Sequence, residues 1–361
     1  MKPADESKLE KGIHARNRDF RKYDQVRKDH EYNLVEHSDG EPFDEEYEIK
    51  TCDMRLFFEG GGEGKRQFAD ELGRALEGIG FAILSNTGVG PELYKTAEAK
   101  IAELFETVSI EKRLAYEAKR FGSVNQGYFP VKTTTRIHPD LVEGWVFCRR
   151  AFDIDGKEFC EDDFWPEAGY EPIFRNVVLE HEKLILPVMQ SMLGYLGCDP
   201  HSYDKKLTST NFGFRLNYYP PLSAADEESG AGRMLGHEDV DLFTFLPAQN
   251  VEGLQVFNRE NGKWIRLNAP PGTIVLNTGD YMQRITNDRF PSTTHRVSRP
   301  RDPGLNSIAR ISMPMAVYVW EDEVLEVLPG LGEPRYEPIS ALEFHTSTTS
   351  KYYGDEYAVK S

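Results

Sequence analysis

The chain has 361 residues, of which 39% are hydrophobic and 12% aromatic, and its formal net charge is −17. This length is ample for a sizeable core, built as one large domain or two modest ones. An acidic chain without a basic stripe excludes nucleic acid and anionic membrane surfaces as main partners.

The ends and the cysteines bear on where the protein works. The amino terminus, "MKPADESKLEKG", lacks the apolar segment of a secretory signal, and no apolar run is long enough to span a membrane. The four cysteines form no CxxC pair, which argues against a disulfide framework and against a structural zinc site. A cytoplasmic location without membrane attachment is therefore expected.

The first 45 residues differ in composition from the rest of the chain. Residues 1–45 are strongly charged and poor in aliphatic side chains. They predict an extended or partly helical arm, draped over the domain or used in association. An oligomer formed through this arm is one expectation.

A mainly helical region follows over residues 46–205. "EGGGEGKRQ" predicts a flexible loop, and apolar residues then recur at helical spacing from Phe68 to Ile79, before the buried strand "FAILSN". A long helix is predicted to be broken or bent near Pro187, because proline lacks the amide hydrogen that a helix interior uses.

The sequence pattern changes from helical to β-rich at about residue 206. Short β-rich runs punctuated by Gly, Pro and Asn predict an antiparallel sandwich or barrel over 206–320. The predicted fold class is therefore α+β and mainly β, with helices first, and residues 321–361 form a carboxyl-terminal extension.

The segment "MLGHEDVDLFTFLP" carries the first candidate for chemistry. In a strand, residues i and i+2 share a face, so His237 and Asp239 can aim an imidazole and a carboxylate at one point, with Glu238 turned away. An isolated HxD is more often an ordinary polar pair at a strand end. A second histidine would complete a two-histidine, one-carboxylate set, and His295 lies on a later predicted strand.

Two further pairs accompany this motif. Arg310 and Ser312 in "ARISMP" share a strand face and suit a carboxylate, although an arginine alone could form a surface salt bridge. Upstream, "RLNYYPP" puts Asn217 and Tyr219 on another common face, where Tyr219 could equally be a core aromatic.

Taken together, these segments resemble the isopenicillin N synthase-like family of iron(II)- and 2-oxoglutarate-dependent dioxygenases. The similarity spans roughly residues 45–320, including "ELGRALEGIGFAILSNTGV" and "QGYFP" in the amino-terminal half, and each piece alone is weak. The segments that carry the family's order in the second half are "RLNYYPP", "GHEDVDLFTFL", "GLQVF", "PGTIVLNTGDYMQRITND", "STTHRV" and "ARIS".

The resemblance implies a double-stranded β-helix, or jelly-roll, core and a set of site residues. It implies that iron(II) is bound by His237, Asp239 and His295. It further implies that 2-oxoglutarate is held through its distal carboxylate by Arg310 and Ser312, with Tyr219 helping and Asn217 nearby. Dioxygen is the second co-substrate, and ascorbate is a candidate reductant.

Two departures from the family pattern stand out. Asn86-Thr87-Gly88 replaces the family's usual Asn-His-Gly, and the interval from His295 to Arg310 is about five residues longer than usual. A longer hairpin loop would absorb the second departure.

The implied activity is oxidation of a C–H bond of a small natural-product or amino-acid-like substrate, with release of succinate and CO₂. Alternatives are an iron oxidase or cyclase on the same fold that does not use 2-oxoglutarate, and a catalytically silent jelly-roll binding module. Neither the substrate nor the outcome follows from the sequence. Candidate substrate contacts are Arg136, Trp145, Phe147, Phe245 and Met315, although Trp145 and Phe147 could equally be core residues.

Overall fold

A computed structural model describes residues 42–121, 124–130, 140–149, 161–223, 226 and 233–353. Within these ranges no helix combines the length and the apolar character that crossing a membrane requires. The helices, in chain order, are α1 (Arg55–Glu59), α2 (Gly61–Ile79), α3 (Pro91–Glu106), α4 (Ile110–Leu114), α5 (Glu161–Phe164), α6 (Glu171–Tyr195), α7 (Asp204–Leu207), α8 (Asp280–Ile285) and α9 (Ala341–Tyr353), with a 3₁₀ turn at Pro303–Ser307.

The strands form one large sheet, one small sheet and a short hairpin. They are β1 (Thr51–Asp53), β2 (Phe81–Ser85), β3 (Lys119–Phe121), β4 (Val124–Phe129), β5 (Glu143–Cys148), β6 (Asn211–Tyr219), β7 (Met234–His237), β8 (Phe243–Pro247), β9 (Leu254–Asn258), β10 (Lys263–Arg266), β11 (Ile274–Thr278), β12 (His295–Val297), β13 (Arg310–Ser312), β14 (Met315–Tyr318), β15 (Val324–Leu325) and β16 (Ile339–Ser340).

The large sheet runs in the order β1-β2-β11-β8-β14-β6-β5-β4-β3, with β13 also paired to β6. The small sheet runs in the order β10-β9-β12-β7. Neighbouring strands are antiparallel except β1 and β2, which are parallel. Two facing antiparallel sheets are the arrangement predicted for the jelly-roll core.

The two faces of the large sheet pack against different layers. On β2, Ala82 and Leu84 belong to the main core, which also contains the apolar faces of α2, α3 and α6. Phe81 and Ile83, on the opposite face, pack in a second core with Val256 of the small sheet. The molecule is therefore layered as helices, large sheet and small sheet, with a second interior between the sheets.

Helix α2 begins earlier than predicted. The glycine-rich segment that was predicted to be a loop forms the first turns of α2. Glycine in these turns lets the backbone of α1 lie close to α2. A Cβ on Gly64 would lie 2.3 Å from the Leu56 carbonyl oxygen, which excludes any larger residue. The helix ends where Gly80 adopts a left-handed φ of 72°, which glycine accepts without steric cost.

Helix α6 runs from Glu171 to Tyr195 as one element with Pro187 inside it, so the predicted helix is not broken there, and a bend at Pro187 stays a prediction. The Ser191 hydroxyl donates to the Pro187 carbonyl oxygen at 2.7 Å. The helix is held by burial of its apolar face, including Phe174 and Val188, which outweighs the loss of one backbone hydrogen bond.

The ends of the described chain both lie on the domain. Main-chain hydrogen bonds join Trp264 of β10 to Pro42 at 2.9 Å and to Asp44 at 2.8 Å, so the end of the predicted arm lies against the small sheet. In the carboxyl-terminal segment, Phe344 of α9 packs on Tyr281 of α8 with ring centroids 5.6 Å apart. The division at residue 205 stays a prediction, although β5 and β6 on either side of it are neighbours in one sheet.

Candidate metal and carboxylate site

Three side chains converge between the two sheets at one end. His237 is the last residue of β7, and His295 is the first residue of β12 and pairs with it in register. Asp239 follows in the turn after β7, so it meets the histidines from a loop rather than from the strand. One ligand atom from each of the three residues lies within 4.8 Å of the others. The Asp239 Oδ1 atom is 3.7 Å from His237 Nε2 and 3.9 Å from His295 Nε2.

Neighbouring polar groups orient two of these three ligands. Asp239 Oδ2 accepts hydrogen bonds from Thr244 Oγ1 at 2.7 Å and from Asn277 Nδ2 at 2.8 Å, which leaves Oδ1 facing the histidines. His295 Nδ1 lies 3.1 Å from the Thr293 carbonyl oxygen, which can only accept, so Nδ1 is the donor and Nε2 is the nitrogen that faces Asp239. Burial opposes ionisation of Asp239, but the two histidines and the two hydrogen bonds outweigh it and lower the pKa of its carboxyl.

A second carboxyl group, that of Asp241, lies behind Asp239. The Thr244 hydroxyl is 2.6 Å from Asp241 Oδ2 as well as close to Asp239. Full burial, followed by the charge of Asp239, raises the pKa of Asp241 well above its ordinary value. Thr244 thus links the two carboxyl groups and fixes the position of Asp239.

The middle residue of the motif faces the other way, as predicted. Glu238 Oε1 accepts from Arg259 Nη2 at 2.7 Å and from Thr294 Oγ1 at 2.9 Å. Its side chain is 6% exposed and belongs to a structural ion pair. Glu238 is absent from the cluster of converging ligand atoms in the described part of the chain.

The second predicted group lies on β13 and β6. Arg310 pairs in register with Tyr219, and Ser312 with Asn217. The Arg310 guanidinium is buried, 4.9 Å from the Tyr219 ring centroid, and burial lowers the pKa of Arg310. Asn217 Nδ2 donates to Ser312 Oγ at 3.3 Å, so the serine hydroxyl keeps its own hydrogen to donate.

One nitrogen of Arg310 is left available for a ligand. Its Nε donates to the Val251 carbonyl oxygen at 3.2 Å and its Nη2 to Gln249 Oε1 at 2.9 Å. Its Nη1 is buried without a hydrogen-bond partner among the residues described here. A buried guanidinium nitrogen needs an acceptor, and a ligand carboxylate would supply one.

The predicted substrate contacts lie elsewhere. Phe245 follows Thr244 on β8 and points to the opposite face, against His181 of α6 with ring centroids 5.8 Å apart. Met315 is the register partner of Phe245. Phe147 and Trp145 are also fully buried, and Trp145 stacks on Trp165 at 5.8 Å.

These four side chains form part of the core between the sheet and the helices. Their contact with substrate stays a prediction, since alternation along a strand defines two faces without showing which face meets the site. The fifth predicted contact, Arg136, lies outside the described residues.

Sequence reasoning missed the residues that support the ligands. Thr244 interrupts the apolar run of β8, and Asn277 follows the apolar run Ile274–Leu276 of β11, so a buried polar side chain in each strand was the available signal. Gln249 and Val251 lie in the loop between β8 and β9, and no local pattern in "PAQNVEG" marks them.

Two family models match the chain. The 2OG-Fe(II) oxygenase superfamily matches residues 210–317, and a model described as non-haem dioxygenase in morphine synthesis N-terminal matches residues 49–168. The 2-oxoglutarate-dependent dioxygenase 11 of Oryza sativa subsp. japonica is 31% identical over 282 residues, covering 76% of this chain and 74% of the rice protein.

Two further relatives come from fungi. The 2-oxoglutarate-dependent dioxygenase ucsF of Acremonium sp is 27% identical over 317 residues, covering 80% of this chain and 94% of that protein. The crystal structure of a full-length Neurospora crassa protein in complex with alpha-KG and thymine superposes with a TM-score of 0.72 at 22% identity, covering 89% of this chain and 100% of that one. The last similarity shows the fold.

The donor set fits the metal that these relatives imply. Two imidazoles and one carboxylate suit iron(II) and leave coordination positions open. The expected jelly-roll fold, the dioxygenase class and the need for iron(II), 2-oxoglutarate and dioxygen are confirmed. The chain belongs to the 2OG-Fe(II) oxygenase superfamily.

Proposed function

We propose that His237, Asp239 and His295 bind the iron, and that this site oxidises a C–H bond of a small organic substrate. The observation that carries the proposal is the convergence of one ligand atom from each residue to within 4.8 Å of the others. When bound, iron supplies dioxygen activation at the positions that the protein leaves open.

The residues around the triad prepare it for binding. Thr244 and Asn277 occupy one oxygen of Asp239, which favours binding through the other oxygen alone. The backbone carbonyl of Thr293 accepts from Nδ1 of His295 and so orients the ring with Nε2 towards Asp239. Because these groups lie between two packed sheets, reorganisation on metal binding is small.

On β13, next to β6, Arg310 and Ser312 are proposed to hold the distal carboxylate of 2-oxoglutarate. Among the described residues, Nη1 of Arg310 has no hydrogen-bond partner and the Ser312 hydroxyl accepts from Asn217, so both groups can donate to a ligand. A charge-assisted hydrogen bond in a buried site is stronger than one in water. Tyr219 supports Arg310 through its ring, and Asn217 orients Ser312.

The proposed substrate is a small organic molecule, of the size class of the thymine in the Neurospora crassa complex. Substrate binding would exclude water from the site and protect the reacting centre. Ascorbate, as a reductant of iron oxidised in unproductive cycles, belongs to the same proposal.

The test is succinate release from 2-oxoglutarate by the iron(II)-loaded protein, with a panel of small organic molecules. We expect release to depend on 2-oxoglutarate and to fall about 10-fold or more in Arg310→Gln, since a hydrogen-bonded charge is lost. Arg310→Lys should retain part of the activity, because it keeps the charge but loses the planar fork.

The same assay tests the alternatives. Oxygen consumption with a substrate but without 2-oxoglutarate would favour an oxidase or cyclase on this fold. Iron binding with no turnover of any compound, and no effect of Arg310→Gln on 2-oxoglutarate affinity, would favour a binding module.

A further inference from the structure

Arg233 is a buried cation outside the metal ligands and the Arg310 group. It directly precedes β7, four residues before His237, and it is 0% exposed. None of its three guanidinium nitrogens, Nε, Nη1 and Nη2, has a hydrogen-bond partner in the described part of the chain. A buried guanidinium without acceptors is strongly unfavourable, so such a group points to an anionic ligand that is bound during function.

The position of Arg233 links it to the carboxylate group of the site. The Tyr219 hydroxyl donates a hydrogen bond of 3.8 Å to the sulfur atom of Met234, the residue after Arg233. Tyr219 in turn pairs in register with Arg310. Burial, followed by the positive charge of Arg310, lowers the pKa of Arg233 to about 10. Arg233 is thus still a cation at neutral pH and close enough to Arg310 for mutual repulsion.

Arg310 is partly committed to protein acceptors. Its Nε and Nη2 donate to Val251 and Gln249, so Nη1 is its one unpartnered nitrogen among the described residues. A carboxylate has two oxygens and about four lone-pair sites, so it can accept from two guanidinium groups at once. All three nitrogens of Arg233 lack a partner among the described residues and need such an acceptor.

We propose that Arg233 is a second carboxylate-binding residue, which with Arg310 selects a co-substrate that carries a distal carboxylate. The inference rests on the proposed function, since it assumes that the group around Arg310 binds 2-oxoglutarate. Two neighbouring buried cations repel each other, and one carboxylate between them relieves this repulsion.

The test compares two 2-oxo acids by isothermal titration calorimetry on protein loaded with Mn(II). 2-Oxoglutarate has the distal carboxylate, and 2-oxopentanoate has the same chain length without it. In Arg233→Met we expect the Kd for 2-oxoglutarate to rise about 10- to 100-fold, as for lost hydrogen bonds to a charged group. The Kd for 2-oxopentanoate should stay within about twofold, since that ligand presents no charge to Arg233.

Two further variants control the comparison. Arg233→Lys keeps the charge and should give an intermediate Kd. Arg301→Gln removes an exposed arginine, 60% accessible, whose Nε lies 3.8 Å from Glu252, and should behave as the wild type. Without ligand, Arg233→Met should melt no lower than the wild type, because an apolar chain replaces a buried unpaired cation.

Several results would overturn the proposal. An unchanged Kd for 2-oxoglutarate in Arg233→Met and Arg233→Lys would mean that Arg233 contacts another anion or none. Equal weakening of both 2-oxo acids, or a lower melting temperature of the ligand-free Arg233→Met protein, would indicate a structural role. Failure of the wild type to bind 2-oxoglutarate would instead refute the proposed function.

Discussion

At the scale of single residues, Thr244 is the support on which the Asp239 carboxylate depends. Thr244→Val keeps the shape of the side chain and removes the hydroxyl that lies 2.7 Å from Asp239 and 2.6 Å from Asp241. We expect the affinity for Fe(II) or Mn(II) to fall about 10- to 100-fold, the usual loss for a group that orients a metal ligand. Metal titration of both proteins measures this. Thr208→Val, at an exposed position, is the control, and equal affinities for Thr244→Val and the wild type would refute the role.

Glu238 and Asp239 are adjacent, and replacing each carboxylate by the matching amide should have different effects. Asp239→Asn removes a converging ligand and should abolish tight metal binding. Glu238→Gln should leave the metal affinity within about twofold and lower the free energy of unfolding by about 1–3 kcal/mol, because Arg259 and Thr294 lose a charged partner. Metal titration and urea unfolding of both variants test this pair. A large loss of metal affinity in Glu238→Gln would contradict the assignment.

At the scale of elements, α6 is joined to the large sheet through a buried histidine. His181 Nε2 lies 2.9 Å from the Tyr94 hydroxyl, and the ring packs against Phe245. Burial lowers the pKa of His181 to about 3, so the imidazole stays neutral in the folded protein while the unfolded chain takes up a proton below about pH 6.5. The unfolded state therefore binds more protons in this window, and stability is complete above about pH 6.5 and falls as the pH is lowered.

The expected loss of stability follows from the pH range in which the unfolded chain, but not the folded protein, protonates His181. Between about pH 6.5 and pH 5 the wild type should lose about 2 kcal/mol through this group. His181→Gln should lack that part of the loss. Urea unfolding at about pH 7.5 and about pH 5 measures the difference, and an equal acid-induced loss in both proteins would contradict the account.

Elements also show what local patterns can and cannot predict. The pairing of His237 with His295 was predictable from the order of motifs that the family resemblance supplies. Strand alternation did not give the position of Asp239, because β7 ends at His237 and Asp239 lies in the loop after it. The first turns of α2 were not predictable either, since the close approach of Leu56 to Gly64 is a tertiary contact. Likewise Pro187 inside α6 is tolerated through packing that no local pattern reports.

At the scale of the whole molecule, the layers decide which residues can meet the site. Asn277 and Thr244, on the large sheet, meet Asp239 near the small sheet that carries the two histidines. Phe245 and Met315 belong to the core on the helix side of the large sheet, and their contact with substrate stays a prediction. The sequence alone does not show which face of a strand packs on which layer.

The central claim is that one metal is held between the sheets by His237, Asp239 and His295. Anaerobic titration of the protein with Fe(II), followed by 2-oxoglutarate, tests it most directly. We predict stoichiometric iron binding and a metal-to-ligand charge-transfer band in the wild type, and neither in His295→Ala at the same concentrations. Equal iron binding by His295→Ala, or iron binding by the wild type without such a band, would contradict the claim.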